Sequence, residues 1–541
     1  MGGASEVPPP DERTPAGPSL GGRYLTRRQA LGGLAAAGVA GLGLLVVGLD
    51  RALQPSVAGA GASPSPRAIP LAAASPPAGA SPTAAAPSGP RRAFRSRPDL
   101  TPPVVTVTAG SASDASEGLI FLTPGNGTGA DGPLILDATG EPVWVGPDSQ
   151  TTVTGLTVVD LQGAPALCWW EGTNNNGIGS GEYVFADSSY RVIRRLTGAN
   201  GAKVDLHELR LTPDGTALLF VAVPIQQNRV TGQTLPWPIM DCVVQELDLA
   251  TGALRFEWHS ADHIDPDESF AAPPTKADSV YDYIHANAID LDTDGSLLVS
   301  ARNTSAIYKV DRRTGTVIWR MGGKRSDFAV APDAVFGWQH DVRRRPDGTL
   351  SIFDNAHQSA DDKTGHPSRA MVVQTDETAM TVALVREYPH PTPLIASSQG
   401  SVQLLPSGEL FVGWGSTPWF TQFKPNGDTV FDATFPASKQ SYRAFRYAWS
   451  GRPTEPPAMA AERLAAGHVA VYASWNGHTG VSSWEVLAGP SAASLQVVAR
   501  GDRAGFETRI PVATGERLIT VRASDDSGTV LGSAEPIVNP A

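Results

Sequence analysis

The stretch that decides the fold is His285-Ala-Asn-Ala-Ile-Asp-Leu-Asp-Thr-Asp294-Gly295-Ser-Leu-Leu-Val299, followed by Ala306-Ile-Tyr-Lys-Val-Asp311-Arg-Arg-Thr-Gly315-Thr-Val-Ile-Trp319. Apolar and polar residues alternate on either side of an Asp-Gly pair, the signature of two strands joined by a tight hairpin. A second alternating pair closes on Thr314-Gly315, so the unit reads as four short strands. The same unit recurs. One copy runs from His207 through Pro213-Asp214-Gly215 and Thr251-Gly252 to Trp258. Another runs from His340 through Pro346-Asp347-Gly348 to Tyr388, and a third from Gly400 through Pro406-Ser407-Gly408 and Asn426-Gly427 to Phe435. Weaker copies occupy Leu156 to Leu196 and Leu134 to Trp144, which brings the count to six. Four-stranded units repeating at this length predict an all-β fold, a six-bladed β-propeller over residues 104–450. The first unit is short of a strand, and Phe445 to Trp449 is placed to supply it from the other end of the chain, removing an open edge.

After Pro453 the pattern changes to a Pro-rich joint and short strands around Val469, Ser483, Leu495 and Arg517, which predicts a small C-terminal β-sandwich of the fibronectin type III or Ig-like kind over 458–541. Upstream of the repeats, residues 52–103 read as a linker. Between Gln54 and Pro90 there are nine Pro and twelve Ala with Arg67 as the only charge, too little apolar surface to build a core. Before it stand Arg27-Arg28 and an uncharged apolar run from Ala30 to Leu49. Residues 1–51 therefore read as a twin-arginine export signal, cleaved near Ala58 to Ala62, or as a retained N-terminal membrane anchor, since twenty residues can span a bilayer. Both readings put the body outside the cytoplasm, secreted or held at the membrane.

Lys plus Arg number 42 against 54 for Asp plus Glu, a net charge of -12, which excludes a general nucleic-acid binder. With two cysteines, Cys168 and Cys242, a disulfide-dense scaffold and a Cys-only metal cluster are excluded; their apolar neighbours suit buried thiols, and one disulfide is open to them.

In a propeller the opening strand of each blade lines the central channel, so its first residues converge on one mouth. His207, His285 and His340 hold that place: His207 and His340 stand eight residues before their turn glycine and His285 ten. One such histidine is ordinarily structural; three in register predict a site. Imidazoles there could hold zinc, act as base and nucleophile, or stabilise an anion; no short-range ligand motif supports a metal, and neither metal nor cofactor is expected. Asn287, Arg302, Asn303, Asp354, Asn355 and His357 lie nearby in sequence as candidate substrate contacts, and Arg369 as an anion clamp, because guanidinium meets sulfate or carboxylate with paired hydrogen bonds. The acidic loop from His259 and His263 to Glu268 reads as a solvated loop, with Ca²⁺ as the alternative, and His468 and His478 read as surface residues of the C-terminal module.

Taken together, Tyr283-Ile-His285-Ala-Asn287, Val299-Ser-Ala-Arg302-Asn303-Thr304-Ser305, Trp319-Arg-Met-Gly-Gly-Lys324, Trp338-Gln-His340-Asp341, Phe353-Asp-Asn355, Ser368-Arg369, Ser398-Gln-Gly-Ser-Val402 and Gly413-Trp-Gly415 resemble the arylsulfotransferase family from about Gly118 to Trp449. The resemblance implies a six-bladed propeller that moves a sulfuryl group from a small phenolic sulfate ester to a phenol without a nucleotide donor. It also implies ping-pong transfer through a sulfated histidine, with His207, His285, His340 and Arg369 as catalytic candidates and the nucleophile open between His285 and His340. The sequence departs from the pattern in its last clear repeat, where Gly400 stands at the histidine position, and no arginine follows His357 until Arg369. A non-catalytic exported propeller that binds a ligand or an envelope partner is the alternative.

Overall fold

Strand after strand ends on an Asp-Gly, Thr-Gly, Ser-Gly or Asn-Gly turn, and the glycines at these corners have left-handed backbones, +84° for Gly295 and +84° for Gly348, where a side chain would be strained. The computed structural model describes residues 90–110, 118–125, 132–227, 230, 232, 234–356, 366–465 and 467–540. All of them fall in the unit Pro66–Ala541. The described chain is all-β, with short 3-10 turns and no α-helix.

Six four-stranded antiparallel ladders follow one another. The first joins Leu119–Leu122, Leu134–Leu136 and Pro142–Val145 to Phe445–Tyr447, so the strand missing at the start of the repeats is supplied from their end, with Phe121 opposite Phe445. The second runs from Thr152–Leu161 to Val192–Leu196, the third from Leu209–Leu211 to Leu254–His259 and the fourth from Ala286–Leu291 to Val317–Gly322. The fifth runs from His340–Arg344 to Thr381–Pro389, with Ala329–Val330 added in parallel. The sixth runs from Ser401–Leu404 to Thr429–Thr434, with Thr106–Ala109 added at its edge.

The core lies between these sheets rather than within any one of them. Each consecutive pair encloses its own apolar cluster: Trp170 and Phe185 meet Leu219 and Val221, Trp258 and Val244 meet Tyr308 and Ile289, and Trp319 and Met321 meet Ile352 and Met371. The sixth sheet packs Phe411, Phe420 and Phe431 against Ile120, Leu122, Leu134 and Leu136 of the first. The opening strands follow the same order: Leu209–Leu211 touches Ala286–Leu291, which touches His340–Arg344, which touches Ser401–Leu404, which touches Phe445–Tyr447.

The C-terminal residues form two further sheets, Ala458–Ala465 with His468–Ser474 and Glu507–Ala513, and Gln496–Asp502 with Ser483–Gly489, Leu518–Ser524 and Val530–Ser533. Val469, Val471, Trp484, Val486, Ile510 and Val521 share a cluster between them. The stretch expected to be linker is not free at its C-terminal end: Phe94 is buried with its ring 4.3 Å from Phe506, and the Ser96 backbone N–H donates to Glu507 at 2.6 Å. An aromatic residue in a Pro/Ala-rich stretch, with an apolar partner in reach, is enough to pin it. The apolar run from Ala30 to Leu49 lies outside the described residues, among which no helix is long and apolar enough to cross a membrane. Cys168 and Cys242 are separate buried thiols, each pushed up by burial.

Candidate functional site

The three histidines meet. His207 precedes the opening strand of the third sheet, His285 that of the fourth, and His340 begins that of the fifth. The rings of His207 and His285 stand edge to face with centroids 4.7 Å apart, and all three line one cavity of about 100 Å³ together with Thr154, Leu206, Gln399 and Tyr442.

Local sequence sets each ring. Asp205, two residues before His207, takes its Nδ1 and also accepts from its backbone N–H at 3.0 Å. Asp282, three residues before His285, does the same, with the backbone bond at 3.1 Å. That double hold keeps His285 in a left-handed backbone with φ of +51°. A carboxylate on Nδ1 fixes the tautomer and leaves Nε2 as the free nitrogen; among the described residues none hydrogen-bonds Nε2 of His207 or His285. Neither aspartate was singled out from the sequence, although an Asp two or three residues ahead of each histidine was there to be read.

His340 is held differently. Its Nδ1 faces the Trp338 carbonyl at 3.1 Å and Asn355 Oδ1 at 2.7 Å, while its Nε2 accepts the backbone N–H of Gln399 at 3.1 Å. Both nitrogens are occupied, so this imidazole is neutral with its proton on Nδ1 and has no lone pair to offer. Asn355 is itself fixed by donating to the carbonyls of Ala396 at 2.7 Å and Gln399 at 2.9 Å.

Arg302 does not line the cavity but is the cation whose charge bears on His285 and His340. Its guanidinium lies 3.9 Å over the Trp338 ring, a cation–π contact, and donates to Asn303 Oδ1 at 2.9 Å, while its Nε is buried without a hydrogen-bond partner. Burial, opposed by the Asp282 charge, holds it down to about 10, still a full cation at neutral pH. The same charges shape the imidazoles. Burial lowers His285 more than Asp282 raises it, and the charges of His207 and Arg302 lower it further. Burial and then Arg302 push His340 well below the ordinary histidine range. Burial alone would raise Asp282, but His285, His207 and Arg302 together hold it below the usual carboxylate range.

The remaining sequence candidates separate. Asn303 donates to the Asp282 carbonyl at 2.6 Å and so braces the loop carrying His285. Asn287 is buried, donates to the Gln339 carbonyl at 2.7 Å, and does not line the cavity. Arg369 lies apart from the cavity, its guanidinium committed to Asp354 at 3.2 Å, Glu387 at 2.6 Å and the carbonyls of Asp333 and Val335. His357 lies outside the described residues. The acidic loop is held by arginines rather than solvent, Arg325 reaching Asp265 and Glu268 at 3.5 Å. His478 is buried 4.2 Å from the Trp475 ring, a correction to its expected exposure, whereas His468 is exposed. Among the described residues no group of His, Cys, Asp or Glu could hold a metal ion.

Gly400 is accounted for by packing. A Cβ there would stand 2.4 Å from the Phe353 ring, at a φ of +114°, so no histidine fits. Its N–H instead donates to the Tyr442 carbonyl at 3.0 Å, seating a tyrosine whose ring lies edge-on to His207 at 5.7 Å and His340 at 6.4 Å.

The sequence profile of the arylsulfotransferase (ASST) family matches residues 157–436, the span that carries all three histidines, Arg302 and both aspartates. The chain belongs to the arylsulfotransferase family. Membership supports an arylsulfotransferase-like function in general, with an aryl sulfate and a phenol as the substrates the family implies. No curated protein sequence matches this arylsulfotransferase-family chain. Solved structures similar to it include a Bacteroides caccae protein of unknown function, at 12% identity and TM-score 0.38, covering 61% of this chain and 100% of that one. Another is a catalytically inactive virginiamycin B lyase from Staphylococcus aureus with quinupristin, at 12% identity and TM-score 0.30, covering 69% of this chain and 96% of that one. Likenesses of this size carry no argument about the arylsulfotransferase chemistry.

Proposed function

We propose that the chain is an exported aryl-sulfate sulfotransferase that passes a sulfuryl group from a phenolic sulfate ester to a phenol through a covalent histidine intermediate. The observation that carries the reading is the pair of Asp-held imidazoles facing each other in a cavity smaller than the roughly 300 Å³ of an ordinary small-molecule site, with the charge of Arg302 bearing on His285 from outside the cavity lining. A cavity of that size suits one reacting group and not two aromatic partners at once, which favours donor and acceptor using it in turn.

In this reading His285 is the nucleophile. Its Nε2 is uncapped, burial keeps it neutral, and the charges of both His207 and Arg302 bear on it. Nε2 attacks sulfur, an N–S bond forms as the aryl S–O bond breaks, and the phenolate leaves with the electron pair and takes the proton of His207 Nε2, which leaves His207 neutral for the second half of the cycle. Nδ1–H stays on Asp282, which stabilises the positive ring of the sulfated intermediate. Arg302 and His207 answer the charge spread over three sulfuryl oxygens, as cationic groups do in phosphoryl transfer. An acceptor phenol then gives its proton to His207 and takes the sulfuryl group, restoring neutral His285. His340, with both nitrogens engaged, positions the Gln399 loop.

We further infer that the six sheets are the blades of a propeller over residues 104–450, supported by the ordered packing of the opening strands from the third sheet through to Phe445–Tyr447 and by the apolar cluster joining the sixth sheet to the first. A β-sandwich over 458–541 is supported by the shared cluster of its two sheets. Export rests on Arg27-Arg28 ahead of the apolar run, with residues 1–51 as signal or membrane anchor.

The test is mass spectrometry of the full chain after brief exposure to a chromogenic aryl sulfate. A sulfuryl adduct on His285 that disappears when a phenol is added supports the reading; an adduct on His340 overturns the assignment of nucleophile. Absence of both adduct and phenol release across a panel of aryl sulfates would favour a binding protein that keeps the fold without the chemistry.

A further inference from the structure

Two hydroxyls in this part of the molecule have nowhere to go. Thr154 Oγ1 and Tyr442 Oη are buried, their residues 8% and 6% exposed, and neither has a hydrogen-bond partner among the described residues. A buried hydroxyl that gives up water and gains nothing costs on the order of 1–3 kcal/mol, and these are the two hydroxyls so placed among the described residues. Both residues line the histidine cavity, and both also line a larger cavity of about 860 Å³ on the far side of His207. Thr154, Leu206, His207 and Tyr442 are therefore the wall that the two cavities share.

The residues reach that wall from distant parts of the chain. Thr154 lies on Thr152–Leu161, at the point where its pairing with Ala164–Asn175 slips between Thr154 and Thr157; such a bulge re-aims the side chains beside it. Tyr442 follows the last repeat, its carbonyl tied to the Gly400 N–H at 3.0 Å. The Gly400 position that cannot accept a histidine thus helps seat a phenol at the same mouth. On the acidic side of the wall stand Asp205, Glu208 and Asp341, yet Glu208 is already taken by Arg443 at 3.1 Å and by Arg343 at 2.6 Å, and Asp341 by Arg343 at 2.7 Å. Asp205 is held likewise by His207 and by the Gly179 N–H at 2.6 Å, and none of the three carboxylates is hydrogen-bonded to either hydroxyl.

What both hydroxyls lack is an acceptor, and what the reaction brings between His207 and His285 is a group with three anionic oxygens. We propose that Thr154 Oγ1–H and Tyr442 Oη–H are direct substrate contacts, donating hydrogen bonds to oxygens of the sulfuryl group as it sits between the imidazoles. The assignment rests on the sulfuryl-transfer reading of the same cavity. Two neutral donors add to the Arg302 cation without adding charge, and they act on oxygens whose charge is present in donor, intermediate and acceptor product. They should therefore tighten binding of any sulfuryl-bearing species as well as support turnover.

The experiment uses the full chain and the variants Tyr442→Phe and Thr154→Val, each of which deletes a hydroxyl and keeps the side-chain shape. Two readouts are taken: turnover of a nitrophenyl sulfate ester, and calorimetric affinity for benzenesulfonate, which carries the three oxygens but has no ester bond to break. Thermal stability should be unchanged or higher in both variants, because an unpaired buried hydroxyl is removed. Affinity and kcat/KM should each fall about ten- to a hundredfold per hydroxyl, the range of a hydrogen bond to a charged group. Variants that match the wild type in both readouts while the wild type turns over would overturn the proposal and leave the transfer reading intact, the hydroxyls then being paired by water. A wild type that binds benzenesulfonate in a hydroxyl-dependent way without turnover supports the proposal and overturns the transfer reading. Neither turnover nor binding overturns both.

Discussion

The sharpest consequence of the site geometry is the expected effect of Asp282→Asn. Asparagine preserves the shape and can still meet His285 Nδ1, but it removes the one negative charge against that ring and permits the wrong tautomer. In the native site Asp282 opposes burial, which lowers His285, and the charges of His207 and Arg302, which lower it further. The charge matters most once Nε2 carries the sulfuryl group and the ring becomes positive. A hydrogen bond to a charged partner is worth about 1.5–3 kcal/mol, and about 1.4 kcal/mol is tenfold in rate, so kcat should fall roughly ten- to a hundred-and-fifty-fold. The pH profile supplies a second, independent sign. The nucleophile is neutral His285, so activity is lost as pH falls through its pKa, on a limb below about 6.5, the ordinary histidine value. Without the carboxylate the protonated ring is less favoured and the limb moves to still lower pH. Turnover of a chromogenic aryl sulfate across pH 4.5 to 8, with thermal melts to confirm folding, measures both. Unchanged kcat, or a limb displaced upward, would refute the assignment of Asp282 to His285.

Two further outcomes are expected from the packing. Gly400→Ala should destabilise the fold by about 2–5 kcal/mol, combining a strained positive φ with a Cβ forced to 2.4 Å from the Phe353 ring; a variant melting at the native temperature would show that the position has room. Stability should also fall in acid through His340. Its pKa is depressed in the folded state, so the unfolded chain binds the extra proton first, and the loss begins as pH drops below about 6.5 and continues until the folded pKa is reached, at up to about 1.4 kcal/mol per pH unit. Chemical denaturation of wild type and His340→Gln between pH 7.5 and 5 checks this, since the difference between them should shrink steadily with acid.

Much of the architecture was legible because the hairpin turns carry their own chemistry. Asp294-Gly295 and Asp347-Gly348 mark strand pairs that the structure reproduces, and the short unit read at Leu134 to Trp144 takes its missing strand from within Phe445 to Trp449, where Phe445–Tyr447 pairs with Leu119–Leu122. The convergence of His207, His285 and His340 could be read for the same reason: register within a repeat is a local property, and equal positions in equal units meet at one place. Pairing across space could not be read. Nothing in the local sequence ranks Arg302 above Arg369 as the cation near the histidines. Only the structure shows Arg369 spent on Asp354 and Glu387, while Arg302 lies on Trp338 beside the imidazoles. Thr154 sits in a weak repeat and Tyr442 beyond the last one, so neither had a register to announce it.

The three histidines also show why equivalent positions need not share a role. Each stands at the start of the same kind of strand, yet the effect of burial on each ring depends on which nitrogen finds a partner. His207 and His285 have an aspartate close behind them in sequence, which claims Nδ1 and presents Nε2 to the cavity. His340 has Gly337 and Trp338 three and two positions before it, of which Trp338 offers its carbonyl, and Asn355 and Gln399 complete a cage that uses both nitrogens. Absence of a carboxylate two or three positions upstream therefore goes with a neutral brace in place of a chemically free imidazole. The Trp338 indole is not idle, because it is the surface on which Arg302 rests. The loop that takes His340 out of competition as a nucleophile thus also anchors the cation whose charge bears on His285.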